Sequence, residues 1–206
     1  MPCLMAVGSV ERVVTFVKDH DLPSPLFSPY EWGGYIQWEL YPEYKPFVDA
    51  RTLSYDCYKD YRDATQGRKA KVFEKYKFNT VIFYLIPPTA NQISSIIYSL
   101  LKDNDWNLLQ VDDNTVVFSR KGSGYNGAIL DKQEYIVSLK KEMEKKHNID
   151  KLDDKPLIDL AQLCYIQNDI DGALLYFRKA LEVNGDNDFT KEWLKYLNSI
   201  KNKRLP

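Results

Sequence analysis

Apolar and polar positions change their spacing several times along the chain, and each spacing predicts an element. In SVERVVTFVKDH, residues 9–20, valines at 10, 13, 14 and 17 fall on one helical face, with Ser9 placed to cap it. LPSPLFSP, 22–29, reads as an extended piece, since a residue before proline is driven out of the helical region. A helix over roughly 31–40 stacks Trp32, Tyr35, Ile36 and Glu39 along one side and breaks at Pro42. KPFVDAR, 45–51, reads as a buried strand. YDCYKDYRDATQG and KAKVFEKYKF have helical spacing and stop at Gly67 and Asn79. TVIFYLI, from Thr80, is continuous, β-branched and aromatic, as a central strand should be. NQISSIIYSLLKD, 91–103, is an amphipathic helix, and WNLLQVDDNTVVFSRK is a hairpin turning at Asp112, Asp113 and Asn114.

This alternation predicts the α/β class: a small mixed, mainly parallel sheet flanked by helices, with an antiparallel edge from the last hairpin. GSGYNGAIL, 122–130, holds three of the nine glycines and reads as a linker. Beyond it the spacing is helical only, over 131–147, 156–167, 170–183 and 188–201. The expected organisation is an α/β domain over 1–121, the linker, and an all-helical domain over 131–206. GSGYNG also spells G-x-G-x-x-G. That fingerprint needs a parallel strand before it and a helix opening within it. Here a hairpin arm precedes and the next helix begins near Asp131, so the linker reading stands and no cofactor is expected.

Composition narrows the function classes. With 44% hydrophobic and 14% aromatic residues over 206 positions, the chain can build a core. Lys and Arg number 28 against 29 Asp and Glu, without the basic excess of a general nucleic-acid binder. RKAK at 68–71 and KNKR at 201–204 read as solvated surface, and nucleic acid is not an expected partner. Cys3, Cys57 and Cys164 form no CxxC or Cys/His cluster, so thiols are expected, with one disulfide left open. His20 and His147 are the only histidines, and neither a nucleophile elbow nor a phosphate loop accompanies them. The longest apolar run, TVIFYLIPP, falls short of the roughly 20 residues a membrane-spanning helix needs. MPCLMAVGSV lacks the basic and apolar regions of a signal peptide. The chain fits either a whole small protein or a piece of a longer one.

LAQLCYIQNDIDGALLYFRKALEVNGDN, 160–187, resembles a tetratricopeptide repeat at Leu160, Ala161, Asp169, Ala173, Tyr176, Phe177, Ala180 and Leu181. It departs from that pattern at Cys164, where an aromatic is common, and at Gly185, where proline often stands. Ala161, Ala173 and Ala180 would let two antiparallel helices approach closely, while Tyr176, Phe177 and Leu181 fill the space between them. The resemblance implies a helical hairpin over about 157–184, with Trp193, Leu194 and Leu197 of a capping helix packed on it. A peptide-binding groove and a purely structural cap are both open. The cap takes precedence, because such grooves need about three repeats.

YEWGGYIQWELYPEYKPFVDAR, 30–51, resembles a segment of bacterial polytopic membrane proteins similar to the integral-membrane glycosyltransferases, the mannosyltransferase-like and oligosaccharyltransferase-like families. In that group an aromatic-Glu/Asp-Trp-Gly-Gly-Tyr-Leu/Ile-x-Trp stretch is followed by Tyr-Pro and by a strand ending in Asp-Gly-Arg. This chain supplies Tyr30, Glu31, Trp32, Gly33, Gly34, Tyr35, Ile36 and Trp38, then Tyr41, Pro42, Phe47, Val48, Asp49 and Arg51, with Ala50 where glycine is usual. KYKFNTVIFYLIPP and DWNLLQVDDNTVVFSRK are similar to the group's later strand and closing hairpin, and the likeness covers residues 9–121.

The resemblance implies an extracytoplasmic soluble domain that follows a transmembrane bundle and is non-catalytic by itself, since the group's catalytic acid lies between transmembrane helices. Its roles would be to cover the bundle, to hold an acceptor or lipid-linked sugar, or to dock a protein through the repeat. Glu31, Trp32, Asp49 and Arg51 are the ligand-binding candidates, because aromatic faces stack on sugars and carboxylates or Arg bond hydroxyls or phosphates. The competing expectation is structural: Gly33 and Gly34 bring a helix close to the sheet, Trp32 and Trp38 are core, and Asp49 with Arg51 is an ion pair at a strand end. A free-standing tetratricopeptide-type interaction module is the alternative function. A small enzyme using Asp49 and Arg51 on a sugar or phosphorylated ligand ranks below both.

Overall fold

The structure, a computed structural model, describes residues 3–51, 54–88, 92–112, 114–146 and 153–204. The chain divides into two compact units, Met1–Pro87 with Ile93–Leu130, and Pro88–Gln92 with Asp131–Pro206. His147 lies outside the described residues, as does Asp113 of the hairpin turn.

In the first unit the order is α1 (Cys3–Asp19), β1 (Leu26–Phe27), a 3-10 turn (Tyr30–Trp32), α2 (Gly33–Leu40), α3 (Tyr55–Thr65), α4 (Lys69–Tyr76), β2 (Thr80–Tyr84), α5 (Ser95–Lys102), β3 (Trp106–Asp112) and β4 (Thr115–Arg120). Among the described residues the strands form one mixed sheet in the order β1-β2-β4-β3, with helices around it. Only β1 and β2 run parallel, through Leu26 opposite Thr80 and Phe27 opposite Val81. The β2–β4 and β3–β4 pairs are antiparallel. The sheet is therefore mixed, but the expected parallel majority is not there.

The reason lies in two short stretches. Residues 45–51 form bends and turns in place of a strand, and the Asp49 carboxylate takes up the Arg51 backbone N–H at 2.7 Å, a donor that a ladder would have needed. LF between its prolines supplies the parallel neighbour of β2. The Pro25 carbonyl accepts from the N–H groups of Asn79 at 3.0 Å and Thr80 at 3.2 Å. Phe27 is fully buried, and its ring meets those of Phe73 at 5.3 Å, Phe78 at 5.2 Å and Phe83 at 6.1 Å. An aromatic core thus gathers around a two-residue strand.

The valine face of α1 is buried, with Val17 at 0% exposure, and Arg12 ion-pairs with Asp112 of β3. Ser9 lies inside α1, which starts at Cys3 and not after residue 9. Every residue of β2 is buried, as its unbroken apolar run predicts. α4 ends on Lys77 in the left-handed conformation, φ 56°, two residues before Asn79. Residues 122–130 belong to this first unit, and the Leu130 N–H donates to Leu108 O at 2.8 Å. GSGYNG does not open a helix: Asp131 caps the next one, accepting from the N–H groups of Gln133 at 2.7 Å and Glu134 at 2.9 Å.

The second unit holds α6 (Lys132–Lys146), α7 (Asp154–Ile166), α8 (Ile170–Val183) and α9 (Asp188–Arg204). α7 and α8 pack through Ala161, Ala173, Ala180 and Phe177, all at 0% exposure. Asp169 caps α8 by accepting from the Gly172 N–H at 2.8 Å, and any Cβ at Gly172 would run into that carboxylate. Trp193 of α9 stacks on Phe177, with centroids 5.4 Å apart and the planes at 18°. No helix among the described residues is long and apolar enough to cross a membrane.

Candidate functional site

The site grows from the glycine pair. A Cβ on Gly33 would stand 2.5 Å from both Val48 O and Asp49 Cβ, so only glycine lets the start of α2 lie against residues 48–49. That contact is with an irregular segment, and the sheet is not involved. Gly34 differs: nothing comes within 4 Å of the place its Cβ would take, and the surface above it is open.

Pressed against Gly33, Asp49 is buried and its carboxylate is fully engaged. One oxygen accepts the Arg51 backbone N–H at 2.7 Å; the other accepts from Arg51 Nε at 3.2 Å and from Nη2. These hydrogen bonds and the Arg51 charge hold the Asp49 carboxyl below its ordinary range, although burial works the other way. An ionised carboxylate already saturated by donors is poorly suited to proton transfer and well suited to aiming a guanidinium. Nη2 of Arg51 also donates to Gln37 Oε1 on α2, so the side chain is braced from two elements while remaining 68% exposed.

An exposed ring follows Gln37 in α2 and was not among the candidates. Trp38, next to Gln37, is 83% exposed, and Tyr41 is exposed at the end of α2. Trp32 is 3% exposed; its Nε1 donates to the Tyr84 hydroxyl at 2.6 Å, with the rings 4.6 Å apart. Of the two tryptophans, Trp32 is core and Trp38 is surface, so the expectation that both are core is corrected and Trp32 cannot offer its face to a ligand. Glu31 is exposed and forms no hydrogen bond or ion pair among the described residues. Burial raises the Tyr84 phenol against the Trp32 hydrogen bond, with a further push from the Glu31 charge.

The structure therefore joins Asp49 and Arg51, adds Gln37, leaves Trp38 exposed on the same helix and puts Trp32 on the inner side. The helical period does contain a clue to Trp38: Trp32 and Ile36 share the buried stripe, and residue 38 falls about 200° round from Ile36. The repeat residues Ala161, Ala173, Tyr176, Phe177 and Ala180 are all buried, and Tyr176 donates its hydroxyl to Glu144 of α6 at 2.7 Å. Among the described residues no group of three His, Cys, Asp or Glu side chains could hold a metal ion. Compared with known proteins, the chain matches no family model, no curated protein and no solved structure.

Proposed function

We propose that this chain is the extracytoplasmic positioning domain of a membrane glycosyltransferase-like protein, holding a sugar-bearing ligand without reacting with it. The observation that carries this reading is the open face of α2, where Trp38 stands 83% exposed one residue after Gln37, the helix residue that braces the Arg51–Asp49 pair. Exposed aromatic faces beside fixed polar groups are how proteins hold sugar rings and their hydroxyls. The membrane setting rests on the resemblance of residues 30–51 to the segment such proteins carry. Blotting fractionated native cells with an antibody to this domain tests it. A membrane-bound band well above 24.1 kDa is expected. An aqueous band near 24.1 kDa would overturn the membrane setting.

A second reading has its own observation. α7 and α8 form a tightly packed hairpin in which three alanines are wholly buried, and α9 lays Trp193 against it, leaving Leu175, Val183, Phe189 and Tyr196 exposed. This is the packing a tetratricopeptide-like hairpin requires, and it supports a protein-interaction role for the helical unit. Capture of a partner by residues 131–206 that survives Trp38→Ala in the full chain would put that role first.

A further inference from the structure

Arg51 uses only part of its donor set. Its Nε and Nη2 are taken by Asp49 and Gln37, while Nη1, which carries two N–H groups, has no partner among the described residues and belongs to a side chain 68% exposed. A guanidinium held through Nε and Nη2 and open at Nη1 is pre-oriented to give one charge-assisted hydrogen bond to an oxyanion, and a phosphate or a carboxylate oxygen can accept it equally. The negative end of the pair points inward, since both oxygens of the buried Asp49 are occupied by Arg51 itself.

The same few residues provide a place for a ring. Gly34 and Trp38 are one turn apart on α2, with Gln37 between them on the adjoining row. Helical side chains lean toward the N-terminus, which brings the Trp38 indole toward the bare turn at Gly34. A flat ligand can lie over Gly34 against that indole without displacing any side chain, because nothing stands within 4 Å of the glycine's missing Cβ. Gly33 keeps the two halves in register: its contact with Val48 and Asp49 fixes the Arg51 anchor relative to the helix that carries Trp38.

We infer that this face binds an anionic saccharide, the ring stacked on Trp38 over Gly34 and a phosphate or carboxylate of the same molecule held by the free Nη1 of Arg51. The inference rests on the sugar-holding reading above and specifies its ligand. The full chain is titrated with glucose 1-phosphate, glucuronate, methyl glucoside and inorganic phosphate, following tryptophan fluorescence and the indole N–H signals in NMR spectra. The two anionic sugars are expected to bind about tenfold more tightly than methyl glucoside, one charge-assisted hydrogen bond in affinity. Arg51→Gln should remove that difference, and Trp38→Ala should abolish all saccharide binding.

Gly34→Phe, which fills the open turn against the Trp38 indole and leaves Arg51 untouched, should block saccharides and keep native circular dichroism. Preference for glucose 1-phosphate alone, or for glucuronate alone, would identify the source of the oxyanion and sustain the inference. Equal binding of charged and neutral sugars would overturn it while the sugar-holding reading survives. Inorganic phosphate binding as tightly as glucose 1-phosphate would overturn it as well, since the ring would then add nothing. Binding of none of the sugars would defeat both.

Discussion

At the scale of single residues, Gly33 and Gly34 look interchangeable in the sequence and are opposites in the structure. A methyl at Gly33 must displace a backbone carbonyl and the Asp49 Cβ, each 2.5 Å away. Gly33→Ala should therefore destabilise the first unit by about 1–3 kcal/mol, the cost of overpacking a rigid contact. Gly34→Ala meets nothing within 4 Å inside a helix, and it should be neutral or stabilise by about 0.5–1 kcal/mol through the restricted unfolded chain. Urea denaturation of the two variants checks the contrast, and equal effects would contradict the close approach. Arg51 belongs to the same scale. Its carboxylate partner stays ionised well into acid, so an Arg51-dependent affinity for glucuronate should be flat from about pH 5 to pH 8, whereas that for glucose 1-phosphate should rise through the second phosphate ionisation at about pH 6. A titration of the bound fraction against pH measures this.

At the scale of elements, regular spacing was read correctly and irregular segments were not. The valine face of α1, the run of β2 and the β3–β4 hairpin all follow from periods of 3.6 or 2 that one face or two faces of burial impose. KPFVDAR failed as a strand because Asp49 and Arg51 bond to one another and to their own backbone, a choice apolar counting does not register. The position of β1 was missed because two residues between prolines carry almost no periodic signal, although Phe27 anchors the aromatic core. Of the candidate site, the Asp49–Arg51 pairing was legible from spacing alone. The bracing of Arg51 by Gln37 was not, since it depends on the approach at Gly33 that joins two segments. The helical unit offers an element-scale test in acid. Asp154 at the start of α7 is buried, which pushes its carboxyl up, but hydrogen bonds from Asn187 at 3.0 Å and Asn184 at 2.7 Å outweigh this and hold it below its ordinary value. A depressed folded pKa gives stability that is present above the unfolded value and is lost as pH falls through the folded one. Unfolding followed between about pH 6 and pH 2 should show the helical unit weakening below about pH 4, and Asp154→Ala should flatten part of that slope. An unchanged slope in the variant would exclude Asp154 as its source.

At the scale of the whole molecule, the chain carries two separate hydrophobic cores. One surrounds Phe27, Phe73, Phe78 and Phe118, and the other surrounds Phe177 with the alanines of α7 and α8. A unit with its own core can open on its own, and the free energy of opening then belongs to that unit and not to the chain. Phe118→Ala and Phe177→Ala each remove a fully buried ring, a loss of about 3–5 kcal/mol at the site of the change. Native-state amide exchange should then speed throughout β2, β3 and β4 in the first variant while α7 and α8 keep their protection, with the reverse in the second. Uniform acceleration in both variants would show that the two cores form one cooperative whole. In that case a ligand bound on the face of α2 would stabilise the helical unit as well, by the full linkage between binding and folding. If exchange is confined to the mutated unit, the same ligand should protect only the amides of the unit that contains Trp38 and Arg51.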